Sequence, residues 1–194
     1  MTETDATRVL IVDDEPKLAE MYALYLDEEC DVLRASSGTE GAELIDGTVD
    51  VCLVDRRMPG MSGDELIAEI RDRGYDCGIA MVSAVDLDVE TVGTLFDAYL
   101  IKPVDGDALR GIVAELSSLR EQPDPVRKQY ALLQQLSTLQ DVAIGLDVNE
   151  TYVELLDRVR RLREESETPA EELTSASFSG VLGDLHDDPI QQRP

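Results

Sequence analysis

The chain has 194 residues, of which 42 are acidic and 17 are basic, so its formal net charge is −25 at pH 7. This length suits one domain with an appended segment, and a hydrophobic fraction of 43% is ample for a packed core. No apolar run approaches the roughly 18 residues of a membrane span, and the acidic N-terminus lacks the basic start of a signal peptide. These features argue against membrane insertion and secretion and predict a cytoplasmic protein.

The types of charged residue indicate the solvent in which the chain works. Three lysines stand against 14 arginines, 23 aspartates and 19 glutamates. An acidic surface nearly without lysine stays hydrated in molar salt, where the Debye length is about 3 Å and like charges hardly repel. We therefore expect a salt-rich cytoplasm, with an ordinary acidic protein as the alternative. The cysteines have no metal-ligand spacing, and reduced thiols are expected at Cys30, Cys52 and Cys77.

Short apolar runs alternate with helical patterns through the first 120 residues. Four of these runs are typical of strands buried on both faces of a parallel sheet, and a fifth, more polar run over 31–35 is expected at an edge. The four apolar runs cover residues 8–12, 51–54, 78–82 and 98–101. Five strands, each followed by a helical pattern, predict an α/β domain with a doubly wound, five-stranded parallel sheet.

Helix signals occupy the intervals between these runs. Ser37 with Glu40, and Ser62 with Glu65, have the spacing of a capping box, in which serine and glutamate satisfy the first amides of a helix. Apolar stripes at helical spacing mark the first and last intervals. The stripes consist of Leu18, Met21, Tyr22 and Tyr25 in the first interval and Leu109, Ile112, Val113 and Leu116 in the last. A weakly patterned helix is expected over 87–94.

Chemically reactive or charged side chains stand at the ends of four predicted strands. Asp13 and Asp14 follow the first strand, Asp55 follows the third, Ser83 the fourth and Lys102 the fifth. The carboxyl ends of neighbouring central strands meet at one edge of a doubly wound sheet. We therefore expect these five residues to converge on one pocket.

Three carboxylates in one pocket would repel one another unless a cation lay among them. A small set of hard oxygen ligands, with room for water and substrate, favours Mg²⁺ over an enclosed Ca²⁺. A lysine and a hydroxyl opposite the metal could hold a phosphoryl group, with Asp55 as the nucleophile that becomes an aspartyl phosphate. Each residue alone has a simpler interpretation, as a helix cap, a turn residue or a loop hydroxyl. Their combination at four strand ends favours the phosphoryl site.

Four sequence blocks carry a resemblance to a known family. They are VLIVDDEP at 9–16, LVDRRMPGMSG at 53–63, VSA at 82–84 and YLIKP at 99–103. Their order and spacing resemble the signature of two-component response-regulator receiver domains, over about residues 7–120. The resemblance implies a flavodoxin-like receiver fold, phosphorylation by a sensor histidine kinase, and no enzymatic activity beyond the chain's own phosphorylation and dephosphorylation.

The same resemblance implies a role for each residue of the acidic cluster. Asp55 would be the phosphoacceptor and Asp14 a direct Mg²⁺ ligand. Asp13 would bind the metal directly or through water. The main-chain carbonyl of Arg57 would be a further ligand, and Asp55 would also contact the metal.

The resemblance also implies a switch. Lys102 would bridge to the phosphoryl group, and Ser83 would be the hydroxyl that moves toward it. Tyr99 would be the aromatic residue whose rotamer follows Ser83. The bond between Lys102 and Pro103 resembles one that is often cis in this family.

The charge pattern changes at the Pro-Asp-Pro of 123–125, where a helix cannot continue. A helical hairpin is expected after it, because two amphipathic stripes run from Leu132 to Ala143 and from Tyr152 to Leu162. Its placement and pattern resemble the HalX-type C-terminal domain found behind receiver domains in haloarchaea. The predicted organisation is a disordered N-terminus over 1–6, a receiver domain over 7–121, a proline linker over 122–125, a helical HalX-like domain over 126–165 and an acidic, largely disordered tail over 166–194.

The output of the helical domain is left open between DNA, another protein and the chain's own receiver domain. An arginine cluster over 158–163 fits a nucleic-acid contact, but it also fits a helix C-terminus paired with nearby acids. The net charge of only +1 over 126–163 favours the second interpretation. A homodimer through the receiver domain or the hairpin is plausible, and regulation of transcription is one candidate output.

Other classes of protein fit less well. A haloacid-dehalogenase-like phosphatase needs a second aspartate two residues after its nucleophile, where this chain has Arg57. A dinucleotide-binding dehydrogenase needs Gly-x-Gly-x-x-Gly after the first strand, where residues 13–16 read DDEP. A phosphorylation-independent interaction scaffold with a receiver fold is the alternative function, although the complete set of site residues argues against it.

Overall fold

The computed structural model describes residues 6–84, 96–120, 122, 126–128, 130–135 and 161. These residues fall into two units, one ending at Gln122 and the other containing the residues from Val126 onward. The strands of the first unit are β1 (Thr7–Val12), β2 (Cys30–Ala35), β3 (Val51–Asp55), β4 (Gly78–Ser83) and β5 (Ala98–Ile101). Its described helices are α1 (Pro16–Leu26), α2 (Gly38–Leu44), α3 (Gly63–Asp72) and α4 (Gly106–Leu119).

The strands form one parallel sheet in the order β2-β1-β3-β4-β5. This is the flavodoxin-like order of a doubly wound sheet. The register aligns Val12 with Val54, and Asp55 with Val82. The predicted five-stranded α/β fold and the edge position of β2 are confirmed, and the carboxyl ends of β1, β3 and β4 lie at one edge of the sheet.

The core follows from the apolar runs. Every residue of β3 and β4 is buried, which is the pattern of strands covered on both faces. β2 mixes buried, half-buried and exposed positions, as an edge strand does. The predicted stripe of α4 is confirmed, since all four of its apolar residues are buried (Leu109, Ile112, Val113, Leu116).

The predicted stripe of α1 is partly wrong. Tyr22 is buried, but Leu18, Met21 and Tyr25 are only half-buried. The other buried residues of α1 are Ala19 and Leu26, which with Tyr22 form a stripe at spacings of three and four. A small alanine lets the first turn approach the sheet closely, so the helix presents a face rotated from the one that the larger side chains indicate.

Both predicted serine caps begin helices, in slightly different ways. Ser62 forms the full capping box, in which its oxygen accepts from the Glu65 amide and the Glu65 carboxylate accepts from the Ser62 amide. Ser37 likewise accepts from the Glu40 amide at 3.2 Å. The Glu40 carboxylate instead accepts from the amide and hydroxyl of Ser36, the residue before the N-cap, so the second half of the capping box is shifted by one residue.

Several predicted segments lie outside the described residues. They are the N-terminus over 1–5, the helix over 87–94, most of the hairpin over 126–165, including Ala143 and Tyr152, and the tail over 166–194. Within the hairpin segment, residues 126–128 and 130–135 are helical, and Val126, Tyr130, Leu132 and Leu133 are buried. In the part of the chain that is described, none of the helices has the length and apolar character needed to cross a bilayer.

Candidate functional site

Neighbouring strand ends bring two acidic side chains together. β1 and β3 are paired with Val12 beside Val54, so Asp13 and Asp55 come next to each other at the carboxyl edge of the sheet. Both are buried, with 2% and 7% of their surface exposed. Two carboxylates held side by side out of water require compensation by a cation.

Lys102 supplies this compensation from the loop after β5. Its Nζ lies 2.8 Å from Asp13 Oδ2 and 2.6 Å from Asp55 Oδ1. Its amide donates to the carbonyl of Ser83 at 2.8 Å, which ties the loop to the end of β4. The bond between Lys102 and Pro103 is cis, as the resemblance implies. One ammonium group therefore bridges both carboxylates.

The remaining carboxylate oxygens are held by the backbone. Asp13 Oδ1 accepts from the amide of Glu15 at 2.9 Å, and Asp55 Oδ2 accepts from the amide of Arg57 at 2.7 Å. Both are turns in which an aspartate side chain binds the amide two residues on. These bonds fix the orientation of each carboxylate and place the Arg57 main chain beside Asp55, with the Arg57 side chain exposed.

The electrostatics of the cluster follow from its burial. Burial raises the pKa of the Asp55 carboxyl above its ordinary value; the hydrogen bond from Lys102 opposes this rise, and the charge of Asp13 adds to it. Burial alone would lower the pKa of the Lys102 ammonium, but its hydrogen bonds to Asp13 and Asp55 outweigh that effect and raise it. The lysine therefore stays protonated, and one positive charge serves two buried carboxyl groups.

The donor chemistry of this edge fits a hard divalent cation. Asp14 is half-buried and directly follows Asp13, so a third carboxylate stands at the same strand end. Among the described residues, no three His, Cys, Asp or Glu side chains form a ready-made metal cluster. Carboxylate oxygens are nevertheless of the ligand type that Mg²⁺ prefers, and this ion also keeps several of its waters.

A glycine shapes the backbone around Asp55. A β-carbon at Gly63 would lie 2.3 Å from the Asp55 carbonyl oxygen, far inside van der Waals contact. The Gly63 amide donates to the Arg56 carbonyl at 3.0 Å, so α3 begins directly against the end of β3. Gly60 has a positive φ of 80°, which turns the intervening loop. The glycines of the block at 53–63 therefore hold the loop that carries Arg57.

The two predicted switch residues lie on β4 and β5. Ser83 ends β4 and is 1% exposed, and the register places it beside Ile101, directly before Lys102. Tyr99 is buried in β5, and its ring centroid is 5.7 Å from that of Phe96. Ser83 therefore belongs to the carboxyl edge with Asp55, whereas Tyr99 lies further back in the strand. Their switch roles stay predictions.

Tyr22 of α1 is a neighbour of the site that the sequence pattern assigned only to the core. It is buried, and its hydroxyl has no hydrogen-bond partner among the described residues. Burial raises the pKa of this hydroxyl, and the charges of Lys102, Asp13 and Asp55 also act on it. The sequence did carry a signal for this position. Tyr22 has a hydroxyl group in the apolar stripe of α1, where an aliphatic side chain would be enough to fill the core.

Known proteins contain segments that are similar in sequence to part of this chain. The chain is 44% identical over 125 residues to a candidate transcriptional regulator of Haloferax volcanii, a match that covers 64% of this chain and 22% of that protein. It is 34% identical over 118 residues to the response regulator protein PilR of Pseudomonas aeruginosa, covering 58% of this chain and 26% of that protein. The matched part thus spans about a quarter of the length of these relatives.

Similar structures cover the α/β unit. A response regulator receiver domain from Methanospirillum hungatei matches with a TM-score of 0.57 and 26% identity, over 60% of this chain and 98% of that one. The receiver domain of Francisella response regulator 1452 matches with a TM-score of 0.54 and 29% identity, over 58% and 97%. A family profile of the response regulator receiver domain matches residues 9–114. The chain therefore belongs to the response regulator receiver domain family.

Proposed function

We propose that the chain is the cytoplasmic response regulator of a two-component phosphorelay, in which Asp55 accepts a phosphoryl group from a sensor histidine kinase. The observation that carries this proposal is the bridging of two buried carboxylates, Asp13 and Asp55, by the Lys102 ammonium. Receiver domains are phosphoryl-accepting signalling domains rather than enzymes. The chain would accordingly catalyse only its own phosphorylation and dephosphorylation.

In the proposed reaction the Asp55 carboxylate is the nucleophile. An Asp55 oxygen bonds to phosphorus while the bond from phosphorus to the donor's leaving group breaks. Lys102 keeps its proton and neutralises charge on the phosphoryl oxygens, and the Arg57 amide fixes the orientation of the carboxylate. Mg²⁺ held by Asp13, Asp14, Asp55 and the Arg57 carbonyl would add further charge neutralisation.

The proposed switch runs through the end of β4. Ser83 would move toward the phosphoryl group and Tyr99 would change rotamer with it. The placement of Ser83 supports this, since it lies at the carboxyl edge and its carbonyl accepts from the Lys102 amide. A shift of Ser83 would therefore move the loop that carries Lys102, and with it the end of β5.

The proposed output is the segment over 126–165, a HalX-like helical domain joined by the proline linker over 122–125. Its support is an amphipathic helical start with buried Val126, Tyr130 and Leu133, together with the similarity of the chain to a haloarchaeal protein. Regulation of transcription is the output we favour, because this haloarchaeal relative is named as a candidate transcriptional regulator. The segment would act by contacting DNA, a partner protein or the chain's own receiver domain.

The test is intact-mass spectrometry of the full chain after incubation with Mg²⁺ and acetyl phosphate in molar KCl. We expect one added phosphoryl group, which is lost in Asp55→Asn and in the presence of EDTA. Asp46→Asn is the matched control, because Asp46 is an exposed aspartate and should leave labelling unchanged. No adduct on folded wild-type protein would instead support the interaction scaffold that needs no phosphorylation.

A further inference from the structure

Two of the three cysteines are in contact at the amino ends of β3 and β4. Cys52 Sγ and Cys77 Sγ are 3.7 Å apart, and the two residues are 0% and 3% exposed. Cys52 lies in β3 and Cys77 directly precedes β4, in neighbouring strands whose register places Val51 beside Gly78. Twenty-five residues separate the two thiols along the chain, so only the pairing of β3 with β4 brings them into contact.

We propose that Cys52 and Cys77 are a redox-active pair that forms an intramolecular disulfide when the folded chain meets a peroxide. The sulfur atoms of a disulfide lie about 2.05 Å apart, so the two thiols need to approach by roughly 1.7 Å. Because the register pairs Cys52 with Ile79, two residues beyond Cys77, closure needs movement of the segment before β4 as well as of the side chains. Cys30 lies on the edge strand β2 and takes no part.

The surroundings distinguish the two thiols. The hydrogen bond with Cys52 lowers the pKa of the Cys77 thiol, and the nearby Arg71 guanidinium contributes to the lowering. The same hydrogen bond and complete burial raise the pKa of the Cys52 thiol. Arg71 also donates to the Cys77 carbonyl at 2.7 Å, which holds the guanidinium at this position. Cys77 is therefore the thiol that attacks, because the thiolate is the nucleophile.

The chemistry balances with peroxide as the two-electron oxidant. The Cys77 sulfur attacks one peroxide oxygen, the O–O bond breaks, and the leaving oxygen departs as water after taking a proton, which leaves a sulfenic acid on Cys77. The Cys52 sulfur then attacks the Cys77 sulfur, the S–O bond breaks, and the hydroxyl leaves as water with the proton of Cys52. Two thiols lose two electrons and two protons, and the peroxide becomes two waters.

The bridge would join the strand that carries Asp55 to the strand that carries Ser83. It lies toward the amino ends of these strands, at the edge opposite to the acidic site. Because it closes a loop between distant positions, it restricts the unfolded chain and should raise the midpoint of thermal unfolding.

The test is thiol counting on the full-length reduced chain, before and after equimolar hydrogen peroxide, by alkylation in denaturant and intact-mass spectrometry. We expect three alkylated cysteines before oxidation and one afterwards, with a loss of about 2 Da for the two hydrogens. Peptide mapping without reductant should find the Cys52–Cys77 cross-link, and dithiothreitol should restore all three thiols. The oxidised chain should unfold at a higher temperature than the reduced chain.

Two variants sharpen the result. Cys30→Ser should form the same bridge as wild type. Cys52→Ser should stop at a sulfenic acid on Cys77, which dimedone traps. Three alkylated thiols after peroxide treatment of folded wild-type chain would overturn the proposal, and so would a bridge that contains Cys30 or joins two chains.

Discussion

Buried or half-buried acidic side chains lie at both the carboxyl edge and the amino edge of the sheet. The two edges differ in how many basic side chains pair with these acids. At the carboxyl edge, Asp13 and Asp55 share the single ammonium of Lys102. At the amino edge, Asp97 pairs with Arg71 at 2.8 Å, and Asp50 pairs with Arg120. Asp97 and Asp50 also each accept from a strand amide, at 2.8 Å and 2.7 Å.

Under the proposed function, this difference separates the acids that stabilise the fold from Asp13 and Asp55 of the candidate site. Each acid of the amino edge has a guanidinium and an amide of its own, so its charge is compensated within the fold. The carboxyl edge has two buried carboxylates for one ammonium; burial raises the pKa of the Asp55 carboxyl despite its contact with Lys102, and the charge of Asp13 adds to the rise. Under the proposed function, burial alone would not mark a reactive carboxylate, whereas an unbalanced charge would, because the imbalance favours the binding of a cation beside Asp55.

The largest expected effect is that of removing the shared cation. Lys102→Met leaves two buried carboxylates without their partner, so we expect unfolding free energy to fall by about 3 kcal/mol in the absence of metal. Labelling of Asp55 by acetyl phosphate should slow on the order of 100-fold, because the charge on the phosphoryl oxygens loses a donor. Urea unfolding and timed mass spectrometry measure these, with exposed Lys17→Met as the control. A labelling rate in Lys102→Met equal to that of wild type would contradict a role for the Lys102 ammonium in the reaction of Asp55.

Removal of a cation at the amino edge should lower stability without slowing the labelling of Asp55. Arg71→Met deletes the bonds to Asp97 and to the Cys77 carbonyl, so we expect a loss of about 2 kcal/mol in unfolding free energy. Labelling of Asp55 in the folded variant should match wild type. Arg34→Met, an exposed arginine of β2, should change stability by less than about 0.5 kcal/mol. Slower labelling in folded Arg71→Met would contradict the view that only the carboxyl edge takes part in the labelling of Asp55.

Reduction of the charge excess should stabilise the metal-free protein. Asparagine at position 13 has one acceptor oxygen, so it keeps the bond from either Lys102 or the Glu15 amide, but it removes one of the crowded negative charges. We expect Asp13→Asn to raise unfolding free energy by about 1 kcal/mol without Mg²⁺. The increase in melting temperature on adding Mg²⁺ should shrink at the same time. A thermal melt with and without MgCl₂ measures both changes, and an undiminished Mg²⁺ response would remove Asp13 from the proposed ligand set.

The smallest expected effect is the pH dependence of a helix cap. The amide and hydroxyl of Ser62 donate to the Glu65 carboxylate and lower its pKa below the ordinary 4.5. A lowered folded-state pKa gives stability that is present above the unfolded value and is lost as pH falls through the folded value. Glu65→Gln keeps an acceptor without titrating, so its melting temperature should fall less than that of wild type on acidification below 4.5. Equal acid sensitivity in the two proteins would exclude this contribution.

Much of the fold was predictable because burial on both faces leaves a simple pattern. The apolar runs of β1, β3, β4 and β5 give their positions directly, and Ser62 with Glu65 gives the start of α3. The face of α1 was predicted less well, since Ala19 packs against the core without standing out as a large apolar residue.

The position of the candidate site residues was predictable from the sequence, but the bonds between them were not. Strand ends placed Asp13, Asp55, Ser83 and Lys102 at one edge, and the structure brings them there. That Lys102 bridges both carboxylates depends on the loop after β5, which no local pattern encodes. The contact of Cys52 with Cys77 depends on the register between β3 and β4, and a shift of a few residues in that register would separate the thiols.

The most direct test of the central proposal is the location of the phosphoryl group on the chain. Wild-type protein labelled with acetyl phosphate and Mg²⁺ is treated with borohydride, which reduces an aspartyl phosphate to homoserine, and the peptides are then sequenced by mass spectrometry. We predict homoserine at position 55 alone. Homoserine at position 13, 14 or 97, with Asp55 intact, would contradict the assignment of Asp55 as the nucleophile.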